Sequence, residues 1–226
     1  MTVVMRQRAP LDLPQVDDNS CLTCVAANIL YVFGITDTPD TQWVDHEIGR
    51  QPGSAAQRGA ARRLLLQQDL SLHVVCAYQP ERFLREGVNY LRRYYRQDWD
   101  SSWDEYWTPH QLQRHRRECL AAHQLSTFGA RMRTEHRQPT LADLRAALDL
   151  GRLVWISVDN DWGKVDCHAV LVYGQQGKVF DVYSPEISRS GLQQYHRKQL
   201  DRMWLRSEGM TVVWRLPASP PAPRRY

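Results

Sequence analysis

The pattern of hydrophobic and polar residues predicts helices in the first part of the chain. From residue 22 to residue 33, apolar side chains recur with the i, i+3, i+4, i+7 spacing of a buried helix face, and Gly34 follows as a C-terminal cap. A second helix is predicted over Ala55 to Gln68. A third begins at a capping-box pattern, Thr140 to Asp143, and ends at Gly151.

Short runs rich in apolar and β-branched residues predict strands, most of them in the second half of the chain. These runs are Leu70 to Tyr78, Leu153 to Val158, Ala169 to Tyr173, Lys178 to Tyr183 and Thr211 to Leu216. The segment from Gly174 to Gly177 has the length and glycine content of a hairpin loop. Helices followed by strands indicate an α+β fold, with N-terminal helices packed on a C-terminal antiparallel sheet.

The chain of 226 residues is long enough for one domain, which we expect to span residues 1–216. Residues 81–139 are charged and aromatic, and they are interpreted as a helical insertion that covers a substrate pocket. The proline-rich segment 217–226 is predicted to be a disordered tail.

Composition excludes several classes of function. The net charge of +4 is only mildly basic and no RNA-binding motif accompanies it, so no nucleic-acid partner is predicted. No apolar run approaches the roughly 18 residues that span a bilayer, so membrane insertion is not expected. Five cysteines at irregular spacings do not suggest a disulfide framework, and we expect a cytoplasmic protein with reduced thiols.

The most informative chemical feature is Cys21, which stands at the start of the first predicted helix. The helix dipole and the free N–H groups of a first turn stabilise a thiolate, the form of cysteine that attacks a carbonyl. Gln15 lies six residues earlier and could donate to the oxyanion together with the Cys21 backbone N–H. His168 and Asp181 offer an imidazole and a carboxylate to complete a catalytic triad.

These segments resemble the papain-like cysteine peptidase superfamily. Residues 15–34 are similar to the nucleophile segment of the bacteriocin-processing, or double-glycine leader, peptidases: a glutamine, six residues to a cysteine, then a helix ending at a glycine. Residues 140–158 resemble the helix, glycine and buried strand that precede the family's histidine. Residues 168–174 resemble its histidine-led strand. The resemblance covers residues 15–34 and 140–185.

The chain departs from the family pattern at two places. Leu22 follows the nucleophile where the family often has glycine, and Ser184 precedes Pro185 where the family often has its acid. Asp181 lies in a segment that is more similar to the acid segment of phytochelatin synthases. An offset of three residues switches faces on a strand, so only one of positions 181 and 184 can face His168 without a bulge. Asp181 is preferred because it is a carboxylate, and Glu186 is a weaker substitute.

The resemblance implies a cysteine-dependent peptidase or amidase with Cys21 as nucleophile, His168 as base, Asp181 as orienting acid and Gln15 as oxyanion donor. The substrate would be a peptide or amide, with a leader peptide or protein tail as one option, and no cofactor or metal is required. An acyl or peptidyl transferase on the same fold stays open, and so does an inactive peptide-binding module. The pair Cys21 and Cys24 also has the spacing of a redox or metal site.

Overall fold

A computed structural model describes residues 8–95, 107–159, 167–185 and 191–216. The described helices are α1 Cys21–Val32, α2 Thr41–Ile48, α3 Arg58–Gln67, α4 Pro80–Glu86, α5 Val88–Tyr94, α6 Pro109–Gln124, α7 Leu141–Asp149 and α8 Arg197–Met203. The described strands are β1 Leu70–Val75, β2 Met132–Glu135, β3 Leu153–Asp159, β4 Cys167–Gln176, β5 Val179–Tyr183, β6 Leu192–His196 and β7 Met210–Arg215.

The seven described strands form one sheet in the order β2-β1-β7-β3-β4-β5-β6. Every neighbouring pair is antiparallel except β1 and β2, which run parallel. The predicted α+β class is confirmed, and the sheet is mixed rather than wholly antiparallel. It also includes β1 from the first half of the chain, which enters between β2 and β7.

The sheet carries a separate hydrophobic core on each face, because side chains alternate along each strand. Leu171 of β4 packs with α1 and α3, whereas its neighbour Val172 packs with α7 and α8. The helix α1 is the centre of the first core, since ten of its twelve residues are buried. Such a helix is fixed by packing on the sheet, so its first residue has a defined position beside β4.

Two predicted helix ends are confirmed. Gly34 adopts a left-handed conformation after α1, and its N–H donates to the carbonyl of Tyr31 while the N–H of Ile35 donates to that of Leu30. This pair of bonds is a Schellman motif, which satisfies carbonyls at the end of the helix. At α7, Thr140 and Asp143 form the predicted capping box.

The middle of the chain differs from the predicted helical insertion. Residues 80–94 and 109–124 are mainly helical, and they enclose a third cluster of buried residues that includes Phe83, Tyr90 and Leu91. Residues 132–135, however, form β2 at the edge of the sheet. Four residues with a weak hydrophobic pattern gave no strand signal in the sequence. The proline-rich segment 217–226 lies outside the described residues.

Gly209 allows the chain to enter β7 close to β1. Its backbone has φ 77° and ψ −168°, a region that is nearly restricted to glycine. A Cβ at this position would lie 2.7 Å from both the Cβ of Cys76 and the carbonyl oxygen of Val75. Gly177, in the turn between β4 and β5, also has a positive φ, but a Cβ there would meet nothing within 4 Å.

We therefore expect Gly209→Ala to lower the free energy of unfolding by at least about 3 kcal/mol, because it adds a clash to the backbone strain. Gly177→Ala should cost about 1–2 kcal/mol, which is the strain alone. Urea denaturation of both variants measures the difference. Equal losses would show that the close contact with β1 does not matter.

Candidate active site

The turn before Cys21 is organised by Ser20, whose side chain is fully buried. Its hydroxyl accepts hydrogen bonds from the N–H groups of Val16 and Asp17 at 3.0 and 3.1 Å, and it donates to the Asp17 carbonyl at 2.9 Å. Ser20 is the N-cap residue, yet its hydroxyl caps no N–H group of α1. The N–H groups in the first turn of the helix are therefore left for acceptors other than the Ser20 hydroxyl.

Cys21 lies against the first residues of β4. Its sulfur accepts a hydrogen bond from the backbone N–H of Ala169, the residue after His168, at 3.4 Å. Burial raises the pKa of the Cys21 thiol, and the N–H groups of Ala169 and Leu22 oppose that shift only in part. The sequence led us to expect a thiolate stabilised by the helix. In the structure, the cost of burying the charge exceeds the contribution of these donors.

Arg58 brings a positive charge to this part of the site. It begins α3, pairs through Nη1 with Glu208 and donates through Nη2 to the hydroxyl of Ser157 at 3.1 Å. Ser157 pairs in register with Ala169 across β3 and β4. The charge of Arg58 acts on the Cys21 sulfur and lowers its pKa, against the larger effect of burial. Sequence reasoning missed Arg58, because no motif marks an arginine at the start of a helix.

His168 is buried, with 5% of its surface exposed, and its Nε2 lies 3.1 Å from the hydroxyl of Ser184. Ser184 is itself buried and follows the end of β5. This corrects the expectation that Asp181 faces His168. Asp181 pairs with Gly174 across the sheet, and its carboxylate accepts from the side chain of Gln194 at 2.9 Å. Alternation along β5 places positions 181 and 184 on different faces, and the face toward His168 belongs to Ser184.

Two residues considered in the sequence analysis, Ser184 and Glu186, bear on this correction. The serine stands before Pro185, at the position where the resembled family often has its acid, so the position was identified although the residue type was unexpected. Glu186, the weaker substitute, lies outside the described residues.

Gln15 lies between Cys21 and the segment after β5. The amide orientation that satisfies both neighbours places Oε1 2.8 Å from the backbone N of Cys21 and Nε2 2.7 Å from the carbonyl oxygen of Pro185. Gln15 is therefore next to the predicted nucleophile. In this orientation, however, its carbonyl accepts from the N–H group that an oxyanion would need.

Arg50 holds the turn before Cys21 from the other side. Its side chain is only 2% exposed, and it pairs with Asp17 at 2.9 Å and with Asp45 at 2.7 Å. It also donates to the carbonyl of Ser54 at 2.8 Å, while Asp45 accepts from the hydroxyl of Thr23 at 2.6 Å. Although burial opposes the shift, the bond to Arg50 lowers the pKa of Asp17. One guanidinium thus joins the end of α2, the turn before α1 and the loop that precedes α3.

The second cysteine of the pair, Cys24, belongs to the core. It is fully buried, its thiol lies 3.7 Å from the carbonyl oxygen of Pro14, and burial raises its pKa to about 12. Across the described ranges, histidine, cysteine, aspartate and glutamate form no cluster of three that could hold a metal ion. The described helices also include none with the length and apolar character needed to cross a membrane.

The fold is that of a peptidase domain. The chain superposes on the peptidase domain of Streptococcus ComA, a bifunctional ABC transporter involved in a quorum-sensing pathway, with a TM-score of 0.51 and 12% identity over 92% of this chain and 100% of that domain. A putative C39-like peptidase from Bacillus anthracis matches over 34% of this chain and 48% of its own, with a TM-score of 0.28 and 12% identity. No protein-family model and no curated protein sequence matches this chain.

The raised thiol pKa predicts how Cys21 reacts with iodoacetamide. Because only the thiolate reacts, labelling should be slow at pH 7 and should increase until the pH exceeds the ordinary thiol value of about 8.5. Arg58→Gln should shift this profile to higher pH, and Arg58→Lys should restore it. The control Arg63→Gln removes an exposed charge from the same helix. Peptide mass spectrometry reports Cys21 separately, and fast labelling below pH 7 would contradict the prediction.

Proposed function

We propose that this protein is a cysteine-dependent hydrolase of peptides or amides, with Cys21 as nucleophile, His168 as general base and acid, Ser184 as the orienting residue and Gln15 as an oxyanion donor. One observation carries the proposal. The first residue of a buried helix places its thiol against the backbone beside a buried histidine, and a hydroxyl fixes one nitrogen of that histidine's ring. A peptidase-domain fold accommodates this arrangement.

We assign Nε2 of His168, 3.1 Å from the Ser184 hydroxyl, as the protonated ring nitrogen that donates to this hydroxyl. The lone pair of the neutral imidazole then lies on Nδ1. Nδ1 then takes the proton of the Cys21 thiol as sulfur bonds to the substrate carbonyl carbon. The same proton passes to the leaving amine when the carbon–nitrogen bond breaks, and water releases the acyl group from sulfur.

Burial raises the pKa of Cys21, which favours the neutral thiol before substrate attack. In the proposed mechanism the thiol therefore loses its proton during attack rather than before it. Arg58 compensates in part, because its charge stabilises the sulfur anion while it forms.

The side-chain amide of Gln15 must rotate before it can donate a hydrogen bond to the oxyanion. Rotation of its amide by half a turn would present Nε2 beside the Cys21 N–H, so that two donors converge on the substrate oxygen. It would also place Oε1 against the Pro185 carbonyl oxygen, where two acceptors meet. Substrate binding would thus have to move the segment at Pro185 or displace Gln15 from it.

The substrate class follows from similarity alone. The peptidase domain of ComA and the resemblance to double-glycine leader peptidases make a peptide with a Gly-Gly junction the first substrate to assay. The helices over residues 80–94 and 109–124 would cover part of the pocket.

A second function is favoured by the position of Gln15. If its carbonyl keeps the Cys21 N–H occupied when a peptide binds, the protein is a peptide-binding module that does not cleave its ligand. Binding without turnover by the wild-type protein would support this second function.

The nucleophile is tested by Cys21→Ala. We expect loss of all turnover of an internally quenched Gly-Gly peptide, with an unchanged circular dichroism spectrum, because an alanine cannot form the acyl intermediate. The control Cys24→Ala removes a buried thiol that lies outside the proposed triad. Turnover that survives Cys21→Ala would contradict the assignment. Products formed with added amine or thiol acceptors would show whether the acyl group goes to water or is transferred.

The role of Ser184 as the orienting residue is tested by one variant at Ser184, just after β5, and one at Asp181 within β5. Ser184→Ala should lower kcat about tenfold with little change in KM, because the imidazole loses the hydroxyl that contacts Nε2 and helps to orient the ring. Asp181→Asn should change kcat less than about twofold, since its carboxylate contacts Gln194 instead. The opposite ranking would restore Asp181 as the triad residue.

A further inference from the structure

A cavity of about 290 Å³ lies between the loop at residues 49–57 and the helix α6. Its lining includes the apolar side chain of Ile48 and a set of arginine, histidine and amide side chains: Arg50, Gln57, His110, Gln113, Arg114 and Arg117. No carboxylate is among the described residues that line it. The carboxylates that accompany Arg50 lie behind it, in the turn before Cys21 and at the end of α2.

The loop that forms one wall of the cavity is fixed on both sides. On the side of the nucleophile, the Asn19 amide donates to the Gly53 carbonyl at 2.8 Å, and the Gly53 N–H donates to Asp17 at 3.3 Å. On the side of α6, Arg114 donates to the Ala55 carbonyl at 2.8 Å. The same loop therefore lines the cavity and contacts the segment that leads into Cys21.

The arginines of α6 are not equivalent. Arg114 is engaged, since it also lies 3.8 Å from Glu118. Arg117 is exposed, lines the cavity and has no ion pair with any carboxylate in the described part of the chain. Its neighbour Arg116 is equally exposed and likewise makes no such pair in that part, but it does not line the cavity. A carboxylate in the cavity would meet the guanidinium of Arg117, whose planar donors suit bidentate pairing.

We propose that this cavity is a subsite for an acidic segment of the peptide substrate, with Arg117 as the residue that determines the preference for aspartate and glutamate. Its assignment to the substrate rests on the proposed function, because the shared loop places the cavity beside the nucleophile segment. A peptide is favoured over a polyphosphate or nucleic acid for the same reason. The amide side chains of Gln57 and Gln113 complement a peptide backbone by donating and accepting.

The test compares two adjacent arginines. Binding of a fluorescein-labelled hexaglutamate peptide is followed by anisotropy at low salt, with hexaglutamine as the uncharged control. Arg117→Gln should weaken hexaglutamate binding about three- to fivefold, whereas Arg116→Gln, which removes the same charge from the same helix, should weaken it less than about 1.5-fold. Equal losses in the two variants would overturn the proposal, because they would reflect the general surface potential.

Two further measurements separate the possible outcomes. A ten-nucleotide oligothymidylate that binds more tightly than hexaglutamate and depends on Arg117 would assign the cavity to nucleic acid and overturn the proposal. A Gly-Gly peptide with an attached glutamate run should show a KM raised about threefold by Arg117→Gln at unchanged kcat. If no variant of the protein cleaves this peptide while Arg117 still controls hexaglutamate binding, the proposed hydrolase function fails and the acidic-peptide site stands.

Discussion

The packing of α1 on the start of β4 is the contact on which the site depends. It brings Cys21 to the backbone beside His168, although 147 positions, 168 minus 21, separate them in the sequence. The contact is stabilised by hydrophobic burial on one face of the sheet, where nearly all residues of α1 are buried. Every other part of the site is arranged around it. Gln15 and Arg50 contact the segment before α1, and Ser184, just after β5, contacts the imidazole of His168.

Burial also sets the electrostatic character of the site. The same enclosure that positions Cys21 raises the energy of its thiolate, so the helix N-terminus cannot by itself produce an ion pair. A positive charge that favours the thiolate comes from Arg58, which reaches the site from another helix and is itself paired with Glu208.

Much of this organisation could be predicted from the sequence because it depends on local patterns. The apolar spacing of α1 and the cap at Gly34 are repeated features of adjacent residues, and so is the capping box at Thr140. The partner of His168 could not be fixed in this way. It depends on which alternate positions of β5 and its extension lie on the same face of the sheet as His168, and the preference for a carboxylate over a hydroxyl pointed to Asp181. Arg50 and Arg58 were missed because Asp17 and Ser157, which they contact, are distant in sequence and become neighbours only in the fold.

The loop at residues 49–57 couples two regions that the sequence does not join. It is hydrogen-bonded to the turn before Cys21 on one side and to α6 on the other. A molecule that changes the free energy of this loop from the α6 side would act on the turn before Cys21 through these hydrogen bonds. Thermodynamic reciprocity then applies: an inhibitor that orders the Cys21 turn would tighten binding at α6 by the same factor by which a ligand at α6 tightens the inhibitor.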